Sequence, residues 1–400
     1  MTRSKYSDYL IKYLSNFEFP GVVKNEKNLK KSYKFLTIGD FVNYIINHAF
    51  FEKNIDYLSH PLIIVWDISN KCNLKCKHCC IGERYLVKEE CSTSQCHEII
   101  DRISNMDDFV QITLQGGEPF VRDDIIDIIA HLTKHNLYID IATNGTLISK
   151  SIAKSLRHII NPKLFSIQVS LDGSSPGVND KIRGNSSFEL IMRGIRNLAS
   201  EGFQMKVATV VMDENLFDLP NLYILLSKIP NISIGFASLI PTGRAEGQRF
   251  TKFDEALKIL TELKLLQNSI NGPQLFGTIG FIQHLSGYKN CALGMGANNV
   301  KPFMHCTGGK AKITIECDGD VFPCSLLKFP EFKIGNVLTR GLDEIWYSPK
   351  WKEIRKINRN TKTICSECDI SWCNTGCMAV AYWENGMLNT RDPRCQYNIS

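Results

Sequence analysis

The sequence predicts an α/β fold in which a parallel sheet curves into a partial (β/α)6 barrel of the TIM type. From Pro61 onward, short apolar runs rich in β-formers alternate with segments of helical period. This alternation is typical of a parallel sheet with helices packed outside it. We count six such units, which is fewer than the eight of a complete barrel.

The alternation assigns each element of the predicted sheet in chain order. The predicted strands are LIIVWDI, VQITL, YIDIAT, LFSIQVSL, QMKVATVVM and ISIGFASLI. The predicted helices carry apolar residues three or four positions apart, and they are SQCHEIIDRISN, DDIIDIIAHLTKH, SFELIMRGIRNLASEG, LPNLYILLSKI and FDEALKILTELKLLQNS. The last of these helices leads out of the alternating region.

Both flanks of the alternating region have a different pattern. Residues 1–60 place aromatic and aliphatic residues at helical spacing, as in FVNYIINHAFF, and predict an N-terminal helical segment. From Gly272 the chain is rich in Gly, Cys and Pro, and it has short strands such as AKITIE. Because such a segment buries little apolar surface, we expect metal to hold it together. The predicted domains are therefore 1–60, 61–275 and 276–400.

Composition narrows the class of protein. With 400 residues, of which 44% are hydrophobic, the chain can bury a sizeable core. The formal net charge is +6, but the basic residues are dispersed, so we expect no nucleic-acid partner. No apolar run is long enough to span a bilayer, and the N-terminus MTRSKYSDYL lacks the apolar core of a secretory signal. We expect a cytoplasmic protein.

The stretch CNLKCKHCC follows directly after the first predicted strand. The chain has 15 cysteines, and in a reducing compartment clustered thiols indicate a metal site rather than disulfides. Ligands gather at the carboxyl ends of parallel strands, where this loop would place Cys72, Cys76 and Cys79. Three thiolates suit zinc, with His78 or Cys80 as a fourth ligand. They equally suit a four-iron cluster with one iron left open for a small molecule.

The CxxxCxxC spacing, with QGGEP, TNG and VSLDG at the ends of later strands, resembles the radical S-adenosylmethionine (SAM) enzyme family. The resemblance implies that Cys72, Cys76 and Cys79 hold a 4Fe-4S cluster whose open iron binds SAM. Reductive cleavage of SAM would then give a 5′-deoxyadenosyl radical. The glycines of QGGEP would let the backbone approach a ligand closely, and Glu118 would accept a hydrogen bond from the methionine amino group. The SAM-binding residues implied by the motifs are Gly116, Gly117, Glu118, Asn144, Ser170 and Arg183.

The C-terminal cysteines form a second pattern. Cys306, Gly319 and Cys324 have the spacing CxxxxxxxxxxxxGxxxxC, and CSECDISWCNTGC follows. This pattern resembles the SPASM extension of radical SAM enzymes, which holds auxiliary iron-sulfur clusters, although four residues rather than five separate Cys368 from Cys373. The ligands implied for the first auxiliary 4Fe-4S cluster are Cys291, Cys306, Cys324 and Cys377. Those implied for the second are Cys365, Cys368, Cys373 and Cys395.

Alternatives stay open for the C-terminal cysteines. Without Cys291, the first auxiliary cluster would have an open iron, which could bind substrate. The CxxC pairs taken alone would also suit two zinc sites. Three further thiols fit neither pattern and are expected in the core or on the surface, namely Cys91, Cys96 and Cys317.

The resemblance, which runs from Pro61 to Cys395, implies an enzyme that abstracts hydrogen from its substrate. Its electrons would come from a partner such as ferredoxin or flavodoxin, and its leading substrate is a ribosomal peptide or protein. A tetrapyrrole side chain, as in haem biosynthesis, is the alternative, because PLIIVWDISNKCNLKCKHC resembles that branch equally. Ser325 follows Cys324 where sulfatase-maturing relatives carry an aspartate base, which disfavours sulfatase maturation. A non-catalytic metal-binding scaffold is the alternative from another class.

Overall fold

The structure, a computed structural model, describes most of the chain beyond the N-terminal segment. The described residues are 56–82, 89–105, 110–135, 137–249, 251–277, 306–358, 361, 363–368 and 376–395. The predicted helical segment therefore lies outside them except for residues 56–60, and so do the predicted ligands Cys291 and Cys373.

One sheet organises the described chain. Its first seven strands are parallel, and their order in the sheet is their order in the chain. These strands are β1 (Ile63–Ser69), β2 (Gln111–Gly116), β3 (Tyr138–Thr143), β4 (Phe165–Ser170), β5 (Met205–Val211), β6 (Ile232–Ser238) and β7 (Leu275–Gly277). Among the described residues β7 pairs with β6 alone, so the barrel is partial, as predicted.

Helices connect the parallel strands. They are α1 (Thr93–Ser104), α2 (Ile125–Leu132), α3 (Lys150–Ile159), α4 (Pro176–Arg183), α5 (Ser187–Ser200), α6 (Leu219–Ser227) and α7 (Phe253–Ile270). The start of α1 is fixed by Ser92 and Gln95, whose side chains each bind the other's backbone N–H in a capping box. Among the described residues, no helix combines the length and the apolar character that crossing a bilayer requires.

The two faces of the sheet have different chemistry. Along β1, Ile64, Trp66 and Ile68 belong to the apolar core that the sheet shares with the helices. Because side chains alternate between faces in a strand, Asp67 lies on the opposite, inner face. Gln115 of β2 is its register partner. The inner face is therefore polar where β1 and β2 approach their carboxyl ends.

The C-terminal region extends the same sheet across the predicted boundary at residue 276. Strand β8 (Lys312–Ile315) pairs in parallel with β1, and the edge continues with antiparallel β9 (Asp320–Phe322) and β10 (Gly335–Asn336). The short helices that follow are α8 (Leu342–Trp346), α9 (Lys352–Arg355), α10 (Thr363–Ser366) and α11 (Met378–Asn385). The cysteine-rich C-terminal region is thus anchored on the strand that leads into the first cysteine group.

Candidate functional site

The cysteine loop, residues 70–80, leaves the carboxyl end of β1 and is held against the end of β2. The backbone N–H of Gly117 donates to the carbonyl oxygen of Ser69, and that of Glu118 donates to Lys71, both at 2.8 Å. A Cβ atom on Gly117 would lie 2.1 Å from the Lys71 oxygen, and one on Gly116 would lie 2.2 Å from the Ser69 oxygen. We predicted that the backbone at Gly116 and Gly117 approaches a ligand closely. In this structure it closely approaches the backbone at the start of the cysteine loop.

The three predicted cluster ligands lie close to one another. Burial raises the pKa of the Cys76 thiol to about 11, and the charges of Cys72 and Cys79 also act to raise it. Burial likewise raises the pKa of Cys72, where Cys79 adds to the effect. Metal binding displaces such protons, and three thiols in one loop are a donor set that fits a four-iron cluster with one open iron.

Arg183, in the last turn of α4, lies between the cysteine loop and a buried carboxylate. Its Nη1 atom is 3.9 Å from the sulfur of Cys76, and its Nε atom is 2.7 Å from Oδ2 of Asp172. His78 Nε2 lies 3.4 Å from the same oxygen. The guanidinium acts to lower the pKa of Cys76, against the larger effect of burial. The structure therefore pairs the Asp172 carboxylate with both Arg183 and His78.

Asn144 follows β3 and borders the other end of the loop. Its Nδ2 atom donates to Asn73 Oδ1 at 2.8 Å and lies 3.9 Å from the sulfur of Cys72. Its Oδ1 atom accepts hydrogen bonds from Thr146. Ser170, at the end of β4, is partly exposed. The structure thus brings Asn144 and Arg183 to two sulfurs of the loop.

Glu118 is fully buried and joins the ends of β2 and β3. Its carboxylate accepts hydrogen bonds from the Thr143 hydroxyl at 2.6 Å, the Asn144 N–H at 2.6 Å and the Phe120 N–H at 3.1 Å. Burial raises its pKa, while these hydrogen bonds act in the opposite direction. Its observed partners are protein groups, and the contact with a methionine amino group stays a prediction.

The structure also brings three C-terminal cysteines together. Burial raises the pKa of Cys324 to about 12, and the neighbouring Cys306 and Cys377 contribute to the rise. Burial also raises the pKa of Cys377, again with Cys306 as a neighbour. These are three of the four predicted ligands of the first auxiliary cluster.

The predicted ligands of the second auxiliary cluster are described only in part. Cys365 and Cys368 lie in and just after α10, and the N–H of Cys368 donates to the carbonyl oxygen of Cys365 at 3.3 Å. An Nη atom of Arg391 lies 3.7 Å from the sulfur of Cys395. The cysteines that fit neither pattern, Cys91, Cys96 and Cys317, are buried, as core thiols are.

A buried ion triad that the sequence did not indicate links β1 to the C-terminal region. Lys328 Nζ contacts the Asp67 carboxylate and lies 3.2 Å from Glu316 Oε1. Gln115 Nε2 donates to Asp67 Oδ1 at 2.8 Å and to the Ser325 hydroxyl at 3.1 Å. Burial acts to lower the pKa of Lys328, but the two carboxylates outweigh it and raise the pKa. The ammonium therefore stays charged between the two buried carboxylates.

We predict that Lys328→Met destabilises the fold more than loss of an ordinary ion pair. The substitution leaves Asp67 and Glu316 buried without their counter-ion, which costs about 3–5 kcal/mol. Urea unfolding at neutral pH measures this loss of stability. Acidification should reduce the loss, because protonation of Asp67 and Glu316 removes the repulsion between their carboxylates.

Lys333→Met is the matched control for the triad. Lys333 pairs with Asp320 at 2.7 Å, but its side chain is 45% exposed, so its removal should cost at most about 1 kcal/mol. Equal losses of unfolding free energy in the two variants would show that the triad does not stabilise the contact between β1 and the C-terminal region.

Two family models match the chain. Residues 66–226 match the Radical SAM superfamily, and residues 306–369 match SPASM, an iron-sulfur cluster-binding domain. The first match contains the cysteine loop and every predicted SAM-binding residue. The second contains the predicted ligands Cys306, Cys324, Cys365 and Cys368.

Relatives and solved structures agree with these matches. The chain is 28% identical over 352 residues to mycofactocin maturase MftC of Mycolicibacterium smegmatis, covering 86% of this chain and 84% of that protein. It is 27% identical over 346 residues to AdoMet-dependent heme synthase of Methanosarcina barkeri, covering 84% and 97%. Streptococcus suis SuiB, solved with S-adenosylmethionine and with precursor peptide SuiA, matches with TM-scores of 0.72 and 0.71. These two structures are 18% and 19% identical to the chain, and they cover 98% of it and 89% and 88% of SuiB.

Proposed function

Because the chain is a radical SAM enzyme with a SPASM domain, we propose that it modifies a side chain of a ribosomal peptide or protein. The similarity to a maturase over most of both chains supports this substrate class, as does the fold shared with SuiB bound to precursor peptide SuiA. We assign the radical SAM barrel to residues 61–275 and the auxiliary-cluster domain to residues 276–400.

The chain's own residues would prepare the site for SAM. When held by Cys72, Cys76 and Cys79, the cluster supplies the electron that cleaves SAM. Arg183 places positive charge beside Cys76, and Asn144 places an amide N–H beside Cys72. We propose SAM contacts for Gly116, Gly117, Glu118, Asn144, Ser170 and Arg183, and a small electron-transfer protein, such as ferredoxin or flavodoxin, as the reductant.

A cleft next to the cysteine loop is the observation that carries the peptide proposal. The loop after β6 contacts the cysteine loop, since Arg244 Nε donates to the Cys76 carbonyl oxygen at 2.9 Å. A cleft of about 500 Å³ lies between the loop after β6 and α11. Volumes of this size hold drug-sized ligands, so a short peptide segment fits.

The lining of the cleft favours a peptide over a tetrapyrrole. Among the described residues, its lining contains the carboxylates of Glu246 and Glu384 and the guanidinium of Arg249. Haem precursors carry several carboxylates, which two acidic side chains would repel. Trp383 contributes an aromatic wall, and its orientation is fixed because its indole N–H donates to the Leu326 carbonyl oxygen at 2.7 Å.

The test compares peptide and tetrapyrrole substrates on one preparation. After anaerobic reconstitution and reduction, 5′-deoxyadenosine is measured with precursor-type peptides and with iron coproporphyrin, and each substrate is checked for a mass change. We expect turnover with a peptide, and we expect Trp383→Ala to raise the peptide KM about tenfold.

Phe217→Ala is the control, because Phe217 is an aromatic side chain that is 67% exposed and does not line the cleft. Turnover with the porphyrin alone would favour the tetrapyrrole alternative. Absence of SAM cleavage with every substrate would favour the scaffold.

A further inference from the structure

Three of the nine histidines lie together on the seam between α1 and α2. His97 belongs to α1, His131 belongs to α2, and His135 lies in the turn that follows α2. Asp101 of α1 and Asp127 of α2 complete the group. No predicted cluster ligand is among the contacts described for these five residues, and the proposed function does not use them.

The spacing of these residues aligns two polar stripes. His97 and Asp101 are four residues apart on α1, whereas Asp127, His131 and His135 follow one another at intervals of four along α2 and its turn. Residues four apart share one face of a helix, so each helix presents its stripe to the other. The rings of His97 and His131 stack with centroids 4.1 Å apart.

Both stripes converge on the Asp101 carboxylate. Oδ1 of Asp101 lies 2.7 Å from His131 Nε2 and 3.4 Å from His135 Nε2. The ligand atoms of these three residues all lie within 4.8 Å of one another. Two imidazole nitrogens and one carboxylate oxygen form a donor set typical of Zn²⁺, whose bonds to such atoms are about 2.0–2.2 Å long.

A second observation points to a ligand at this seam. The Nε2 atoms of His97 and His135 are shielded from solvent, and each faces a carboxylate oxygen only at a long distance, 3.3 Å to Asp127 and 3.4 Å to Asp101. A shielded polar atom held only by such a long contact is poorly compensated for the water that it has lost, which costs free energy. A metal ion bonded to the His135 nitrogen would remove that cost at one of the two positions.

We propose that Asp101, His131 and His135 bind a divalent first-row transition metal, for which Zn²⁺ is the best-matched ion. His97 would position His131 through the stacked rings, and Asp127 would position His97, whose Nε2 lies 3.3 Å from Asp127 Oδ2. The bound ion would join α1 to α2. Because one coordination position is left after three protein ligands, water would complete the tetrahedron.

Zinc titration of the cluster-loaded protein tests the site. With the cysteines occupied by iron-sulfur clusters, a chromophoric chelator competes with the protein for Zn²⁺ under anaerobic conditions. We expect one zinc equivalent to bind to the wild type, and we expect Asp101→Asn to weaken that binding by about 100-fold or more. His158→Asn, which changes an exposed histidine on α3, should bind zinc as the wild type does.

The His131→Asn/His135→Asn double variant decides the assignment. It should lose the zinc equivalent while its iron content and SAM cleavage stay at wild-type levels, which separates this site from the proposed function. If the double variant loses its clusters, the single Asp101→Asn variant and the wild-type titration decide. Equal zinc binding by Asp101→Asn and wild type, or no zinc equivalent in the wild type, would overturn the proposal.

Discussion

Replacing Cys72, Cys76 and Cys79 together by alanine is expected to abolish SAM cleavage and to leave the auxiliary clusters in place. The three thiols lie in one loop, whereas Cys306, Cys324 and Cys377 form a separate group in the C-terminal region. Loss of one four-iron cluster should lower the iron content by about four atoms per chain. The measurement is 5′-deoxyadenosine formation after anaerobic reconstitution and reduction, with substrate present.

Cys80→Ala is the matched control for this variant. Cys80 directly follows the third predicted ligand, and burial raises its pKa to about 12. It has no predicted role in the cluster, so its replacement should preserve both the iron content and SAM cleavage. Loss of the first cluster in Cys80→Ala would make Cys80 a ligand. Full SAM cleavage by the triple variant would place the SAM-cleaving centre elsewhere.

Most of the barrel could be predicted because its elements have strong periodic patterns. The six predicted strands and five predicted helices are all present, from β1 at Ile63–Ser69 to α7 at Phe253–Ile270. Two helices of the barrel, α3 and α4, were missed. In α3 only Ala153 and Leu156 are buried, and α4 begins with Pro176 followed by glycine, so neither has a clear apolar period. Strand β7 was missed because it has only three residues.

The candidate site could be predicted where its residues follow strand ends. The cysteine loop and Asn144 were found by that rule and by the family motifs, and Arg183 was found by a family motif alone. The structure brings Asn144 and Arg183 to the loop. The Lys328 triad was not predictable, because it depends on the pairing of β1 with β8 across a long sequence separation. Lys328 stands in the largely apolar stretch SLLKFP, but that stretch does not reveal which carboxylates the lysine will meet. The contacts of the two glycines were missed for the same reason, since a motif does not reveal which backbone lies opposite.

Gly117→Ala is expected to impair loading of the first cluster although it changes no cluster ligand. The new methyl carbon would lie 2.1 Å from the Lys71 carbonyl oxygen and 2.5 Å from its carbonyl carbon, which are backbone atoms that no side-chain rotation can move away. Lys71 immediately precedes Cys72, and its oxygen also accepts the hydrogen bond from Glu118. The methyl group must therefore displace the start of the cysteine loop. A shift of about 1 Å in a reacting group can cost about 100-fold in rate, so we expect a loss of SAM cleavage of that order.

Gly177→Ala is the control that isolates this clash from the general effect of adding a methyl group. At Gly177, in the first turn of α4, the nearest atom to the new carbon is the Ser175 hydroxyl oxygen at 3.7 Å. Alanine also favours a helix over glycine by up to about 1 kcal/mol, so this variant should keep full activity. Iron content and SAM affinity then separate two roles of Gly117. Loss of iron supports packing of the glycine against the loop, whereas normal iron content with weakened SAM binding would support the close approach to SAM that the motif implies.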